Sequence, residues 1–404
     1  MSRTYDLVLF GATGFTGKLV AEYLAKHALK QKLVWAVAGR NEKKLREVLA
    51  GLGEAAKGVG LFVADSQDEE ALAKIATDAR VIVTTVGPYA KYGLPLARAC
   101  ATHGTHYCDI TGEVPFVRAS IDANHDTAKK TGARIVHTCG FDSIPSDLGV
   151  LSLAKHAEKL GQTLEKVRLV VLRAKGGFSG GTAASMINLL EEAEGDRSLR
   201  RLLRDPYALT PNAKTDLAVD GPDPVRVAWD EDAKGWTGPF IMAAINTRVV
   251  RRSNALLEHA YGRRFSYEET MSFSKGPKGL LMAGGFTVGL GVGLLLASKA
   301  RTRKLIERFL PAPGEGPSKA DRDDGFFRIG IFATTESGKK LTARVEGTSD
   351  PGYGETAKML SESALALVDG SFASPEGGVL TPAVALGMPL VDRLRAAGMT
   401  FDVS

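Results

Sequence analysis

The chain has 404 residues, 44% apolar and 24% charged. This is the balance of a water-soluble globular protein too long for one ordinary core. Its formal charge of +6 is mild and scattered; with no basic stripe interleaved with aromatics, nucleic acid is excluded as an expected partner, leaving anionic substrates, cofactor phosphates or an anionic membrane surface. Three cysteines, Cys100, Cys108 and Cys139, without C-x-x-C spacing exclude a disulfide framework, so a reducing, cytoplasmic setting and no metal site are expected.

Met1–Asp6 runs directly into a strand, so no secretory leader is expected. Tyr5–Phe10 is a short apolar run of the kind buried in parallel sheets. Gly11-Ala12-Thr13-Gly14-Phe15-Thr16-Gly17 follows, then a helix marked by Leu19, Val20, Tyr23 and Leu24. Strand, glycine-rich turn and helix in that order form the context of a dinucleotide fingerprint, although the spacing is G-x-x-G-x-x-G. Gly11 suits the tight turn, Gly14 the approach of the pyrophosphate and Gly17 close packing of helix on strand.

The second strand, Leu33–Ala38, ends in Gly39-Arg40-Asn41, with Lys43 and Lys44 beyond. NAD-binding units place a carboxylate here for the ribose 2′-OH, whereas an arginine pairs with a 2′-phosphate. NADP(H) is therefore the expected cofactor. Gly60–Ala64 ends at Asp65, a candidate contact to adenine, and Arg80–Val86 ends at Val86-Gly87-Pro88, placed to line the nicotinamide half of the crevice. Thr105–Asp109 and Ala133–His137 add a fifth and a sixth strand. Cofactor-contacting residues are thus expected at Gly11, Ala12, Thr13, Gly14, Phe15, Thr16, Gly17, Gly39, Arg40, Asp65, Val86, Gly87 and Pro88.

From Glu165 the pattern changes. Lys166–Arg173 alternates like a half-exposed strand, Gly176–Thr182 reads as a connection, and Ala183–Glu194 is helical. Asp205–Pro239, rich in Pro, Asp and Gly, is expected to be irregular. Arg248, Arg251, Arg252, Arg263 and Arg264 form the densest basic cluster, either a solvated face or a landing site for a phosphopantetheine phosphate or acidic carrier protein. Gly279–Ser298 carries no charge over twenty residues and is flanked by Lys275, Lys278, Lys299, Arg301 and Arg303; Gly285, Gly289 and Gly293 recur every fourth position. Such a helix lies in one leaflet, lines a greasy substrate tunnel or crosses a bilayer. Crossing conflicts with the strand-like segments Phe326–Thr335 and Lys340–Gly347 if these complete the second domain's sheet. Two further helices are expected at Glu355–Val368 and Thr381–Arg395.

The architecture expected is α/β: a Rossmann-type domain over 1–140, a mixed α+β substrate domain over 141–350 with an apolar insertion at 279–298, and C-terminal helices over 351–404 packing back on the first domain. Short-chain dehydrogenase chemistry, which needs a Tyr with Lys four residues on, is disfavoured: none of the nine tyrosines has that partner.

Several segments resemble the saccharopine dehydrogenase-like oxidoreductases: Gly11–Gly17, Ala38–Arg40, Thr84–Tyr89, Tyr107–Glu113 and Cys139–Asp147. Asn246–Leu256 and Tyr261-Gly262 resemble a narrower subgroup, the mycobacterial trans-acting enoyl reductases that work with polyketide synthases. The resemblance runs across nearly the whole chain. It implies NADPH-dependent reduction of a C=C bond in a lipid-like or carrier-bound acyl chain; an acyl-carrier or polyketide synthase partner would then meet the basic cluster at Arg248, Arg251 and Arg252. It also implies a C-terminal end folded back on the cofactor domain. Such a reaction needs hydride delivery to Cβ, a holder for the enolate oxygen and a proton donor to Cα. Tyr89, Glu113 and Asp142 are the candidates by position. The alternatives are a saccharopine dehydrogenase-type C–N oxidoreductase and a non-catalytic NADPH-binding protein at a membrane.

Overall fold

The computed structural model describes residues 3–177, 180–211, 220–307 and 316–404. It divides into two compact units, one of Met1–Ile144, Pro313–Pro317 and Gly352–Ala397, the other of Pro145–Ala312, Ser318–Pro351 and Gly398–Ser404. In the first, β1 (Tyr5–Phe10), β2 (Trp35–Gly39), β3 (Gly60–Val63), β4 (Ala79–Thr84), β5 (His106–Asp109) and β6 (Arg134–Val136) form a parallel sheet with helices between them. In the second, β7 (Leu164–Lys175), β8 (Ala228–Asp230), β9 (Gly235–Pro239), β10 (Ser266–Ser272), β11 (Phe326–Thr335) and β12 (Lys340–Gly347) form a mixed sheet. The chain then returns to both: β13 (Gly378–Leu380) joins the first sheet beside β6, and β14 (Thr400–Val403) joins the second beside β12.

The first sheet has the order β3-β2-β1-β4-β5-β6-β13, so the strand sequence reverses between β1 and β4. Apolar residues line these strands on both faces because helices cover both; Leu7, Val8, Leu9, Val81, Ile82 and Val83 are inaccessible to solvent. The helix Thr356–Asp369, buried over most of its length, packs against the helix Phe15–Gln31 and against β4 and β5. Tyr23 donates a hydrogen bond to Glu362 at 2.5 Å, and Arg393 reaches the other oxygen of the same carboxylate at 2.9 Å.

The second sheet runs β14-β12-β11-β7-β10-β9-β8, with β7 paired parallel to β10 and antiparallel to β11. The segment expected to be irregular, Asp205–Pro239, ends in two short antiparallel strands, β8 and β9; alternation is hard to see in runs this short. Within Gly176–Thr182 and Asp205–Pro239, residues 178–179 and 212–219 lie outside the described residues.

The arginine cluster is a correction. Arg248, Arg251 and Arg252 stand on the helix Ala243–Leu256 and are 2–4% exposed. Arg248 pairs with Asp223; the Arg251 Nε donates to Asp220 at 2.6 Å and its terminal nitrogen to the Tyr267 carbonyl at 2.7 Å. An Arg252 terminal nitrogen donates to the Leu209 carbonyl at 2.6 Å. These guanidinium groups hold Pro206, Leu209, Asp220 and Asp223 from inside, so they cannot meet a carrier protein. The carboxylates that pair with Arg248 and Arg251 lie 25 and 31 residues away in the chain, a distance local charge patterning does not register.

The apolar segment forms a 22-residue helix, Gly276–Ala297. It is anchored on β9, with Ala283 buried and Phe273 against Phe286 at 5.6 Å between ring centroids. Most of its length is nonetheless open to solvent. The glycine repeat at 285, 289 and 293 meets no neighbouring atom that an added Cβ would touch. It therefore lines no internal tunnel among the described residues.

Candidate active site at the carboxyl ends of the parallel strands

Ligands of open parallel sheets lie beyond the carboxyl ends of the strands where the order reverses, here β1 and β4. The loops leaving these strands are joined: the Thr85 N–H donates to the Phe10 carbonyl at 3.0 Å and the Thr85 hydroxyl to the Gly11 carbonyl at 3.1 Å. Gly11 has φ +94°, a conformation that favours glycine. A Cβ on Gly17 would overlap the Gly11 carbonyl oxygen and carbon, so helix and turn touch backbone to backbone. The helix Phe15–Gln31 begins at Gly14 with no acidic residue in its first turn, leaving its positive end uncompensated from within.

Arg40 leaves the end of β2 exposed and makes no hydrogen bond or ion pair with another described residue; Lys43 and Lys44 beside it are also exposed. Asn41 starts the next helix, its side-chain oxygen accepting from the Lys44 N–H at 3.0 Å. Asp65 is exposed, with one carboxylate oxygen accepting from the Gln67 N–H at 3.0 Å. Val86, Gly87 and Pro88 form the loop after β4, and the Gly87–Pro88 peptide is cis. A backbone cradle that admits no side chain, an open helix N-terminus and a free guanidinium at the adjacent strand end together fit a phosphorylated dinucleotide.

The three candidate catalytic side chains have different surroundings. Tyr89 is buried; its hydroxyl donates to the Thr84 carbonyl at 3.1 Å and accepts from the Ile110 N–H at 3.4 Å. Burial first, then the carboxylates of Asp109, Glu113 and Asp142, push this phenol well above its usual range. Glu113, 4% exposed, accepts from the Tyr89 and Ala90 N–H groups at 2.9 and 2.8 Å, capping the helix Tyr89–His103. Tyr89 and Glu113 are thus tied to each other and to the loop framework. Asp142 is half-buried in the turn after β6, and no hydrogen bond from another described residue satisfies its carboxylate. Burial alone pushes it up to about 7.

That turn is held from two sides. The Phe141 N–H donates to the Thr356 hydroxyl at 3.1 Å, and Gly140 sits where a Cβ would crowd Ile110 and Thr356. Beneath it lies a polar hub absent from the candidates above. Asp109 Oδ2 accepts from the Tyr107 hydroxyl at 2.8 Å and faces His137 Nδ1 at 2.7 Å; Oδ1 accepts from the Thr111 and Thr138 N–H groups, both at 3.1 Å. His137 Nε2 lies 2.8 Å from the Ser120 hydroxyl. The only sign of this hub in the sequence is that Asp109 and His137 end neighbouring strands.

The parallel sheet, its strand order and the glycine turn after β1 are those of a dinucleotide-binding unit. Residues 7–136 match the saccharopine dehydrogenase NADP-binding domain, and the cofactor is NADPH. The whole chain is 46% identical over 416 residues to a protein of Mycobacterium tuberculosis provisionally named a trans-acting enoyl reductase, spanning 98% of it. It is 42% identical over 414 residues to the trans-acting enoyl reductase of Mycobacterium bovis, again spanning 98% of that protein. The fold, at 13% identity, matches the saccharopine dehydrogenase of Saccharomyces cerevisiae with a TM-score of 0.55, covering 99% of both chains. The chain belongs to the trans-acting enoyl reductase branch of the saccharopine dehydrogenase-like oxidoreductases.

Proposed function

We propose that the protein reduces the C=C bond of an α,β-unsaturated acyl thioester, lipid-like or held on the carrier domain of a polyketide synthase. Full-length similarity to trans-acting enoyl reductases carries this reading. NADPH, when bound, supplies the hydride taken up at Cβ. The chain's own residues do the rest. The Gly11–Gly17 turn and the helix N-terminus receive the pyrophosphate, and Arg40 pairs with the 2′-phosphate, selecting NADPH over NADH. Asp65 reaches the adenine side, and Val86–Pro88 the nicotinamide side.

Asp142 is the proton donor to Cα. Of the three candidate side chains it alone has no hydrogen-bond partner among the described residues, and burial keeps it protonated over a useful range near neutrality. Tyr89 and Glu113 set the shape of the loop it faces. The proposed place of work is the cytoplasm, at the inner face of a membrane, where unpaired cysteines such as Cys100, Cys108 and Cys139 persist and acyl chains partition into lipid.

The test is incubation with NADPH and a medium- or long-chain 2-enoyl thioester. Loss of absorbance at 340 nm with a product two mass units heavier supports the reading. NADP+ reduction with saccharopine, or NADPH binding with no turnover of any enoyl thioester, overturns it.

A further inference from the structure

The helix Gly276–Ala297 is about 33 Å long at 1.5 Å per residue and has a mean hydropathy of 2.0 over its most apolar stretch. It is too apolar to face water by default: Leu281, Val288 and Leu295 are 77%, 65% and 63% exposed. The exposure is not confined to one stripe. Leu280, Leu281 and Met282 are all exposed, as are Leu294, Leu295 and Leu296. Three consecutive residues at 100° steps cover about 200° of a helix surface. A protein groove covers one face of a helix, whereas lipid wraps around it.

Charge gives the second argument. Lys275 and Lys278 at one end, and Lys299 and Arg301 just past the other, are exposed, and no acidic residue lies between them. Cations at both ends hold both ends at the headgroups and favour an anionic leaflet. A second basic helix of the same unit, Arg197–Arg204, adjoins the helix Gly180–Gly195, which Arg303 clamps through Glu194 at 2.7 Å.

Topology gives the third. β10 precedes the helix and β11 follows it, yet both pair with β7 in one sheet. A helix crossing the bilayer would leave β10 and β11 on opposite sides, which that pairing forbids. The chain must therefore enter and leave on the same side.

We infer that Gly276–Ala297 is a monotopic anchor that lies within one leaflet of an anionic membrane, held there by Lys275, Lys278, Lys299 and Arg301. This goes beyond the reductase assignment and does not depend on which acyl substrate is reduced.

The experiment is flotation of the full-length protein with vesicles of phosphatidylcholine alone and of phosphatidylcholine with about one-third phosphatidylglycerol. NADPH binding and 340 nm turnover are followed separately, so that failure of anchoring and failure of the reductase reading are distinguishable. The wild type is expected to float with the anionic vesicles and at least several-fold less with the neutral ones. Leu281→Glu combined with Val288→Glu and Leu295→Glu should remain at the bottom of the gradient while binding NADPH as before. Should the triple variant misfold, Leu281→Glu alone serves, since that side chain is 77% exposed. Charge reversal at Lys275, Lys278, Lys299 and Arg301 should abolish the preference for anionic vesicles. No flotation of the wild type overturns the anchor. So does a wild-type dimer in light scattering that the glutamate variants turn into monomers, because the apolar surface would then belong to a second copy.

Discussion

His137 Nδ1 lies 2.7 Å from Asp109 Oδ2, and both side chains are buried. The pair joins the carboxyl ends of β5 and β6, and the Thr138 N–H, on a residue with φ +63°, donates to the same carboxylate. Asp109 thus holds an unfavourable backbone in place beneath the turn that carries Asp142. Asp109→Ala removes four partners at once and leaves buried donors unsatisfied, each costing about 1–3 kcal/mol. A destabilisation of at least about 4 kcal/mol is expected in urea unfolding. Asp109→Asn keeps an acceptor of the same shape and should cost less. A loss below about 1 kcal/mol for the alanine variant would show that Asp109 is not what holds the loops.

Gly17 and Gly14 separate two reasons for a glycine. A Cβ at Gly17 collides with the Gly11 backbone, whereas one at Gly14 lies 3.5 Å from the Gly11 oxygen, an ordinary contact, at φ −70°. Gly17→Ala should therefore lower stability and weaken NADPH together. Gly14→Ala should leave the melting temperature within about 2 °C while raising the NADPH Kd about tenfold or more, because only the approaching pyrophosphate meets the new methyl. Thermal melts alongside fluorescence titration with NADPH separate the two. Equal NADPH affinity for Gly14→Ala and the wild type would contradict the close approach.

What the sequence made legible was local. The Gly11–Gly17 turn and Arg40 stand out as candidates because the turn, the strand before it and the helix after it are contiguous, and the apolar runs Leu7–Phe10 in β1 and Val81–Val83 in β4 mark strands buried on both faces. What stayed hidden depends on distant partners. Asp109, Ser120 and His137 look unremarkable until three segments meet. Arg248, Arg251 and Arg252 look like a surface patch until Asp220 and Asp223 arrive from another part of the chain. β8, β13 and β14, of three, three and four residues, are too short to show periodicity, and pairing with longer strands defines them.

Arg40 is exposed and has no hydrogen-bond or ion-pair partner among the described residues, so its substitution should disturb little besides the cofactor. A charge-assisted, bidentate contact to a phosphate contributes about 1.5–3 kcal/mol. Arg40→Asp, which also adds a repelling charge, should raise the NADPH Kd about 10- to 100-fold and leave the NADH Kd within about threefold. Isothermal titration with both nucleotides reads this directly. A parallel loss for NADH would mean that the turn had moved, and unchanged NADPH affinity would remove Arg40 from the 2′-phosphate site.

Asp142 and Glu269 are both pushed up to about 7 by burial, but of the two only Asp142 has no hydrogen-bond partner among the described residues. Glu269, fully buried in the second unit, accepts from the Tyr267 hydroxyl at 2.7 Å and the Asn246 amide at 2.9 Å. Carboxyls raised in this way bind more protons folded than unfolded between about pH 4 and 7, so stability falls as pH rises through that window and levels off above it. Glu269→Gln should flatten this decline in urea unfolding and leave the pH–rate profile alone. On the proposed mechanism the protonated form of Asp142 is the donor, so kcat/KM with an enoyl thioester should fall as pH rises past about 7, tenfold per unit on the far limb. Asp142→Asn should lower kcat about 10²- to 10⁴-fold, abolish that limb and leave NADPH affinity unchanged. Retention of the limb in Asp142→Asn would move the proton donor to another residue, whereas its loss together with NADPH affinity would mean that the turn, rather than the proton, had been disturbed.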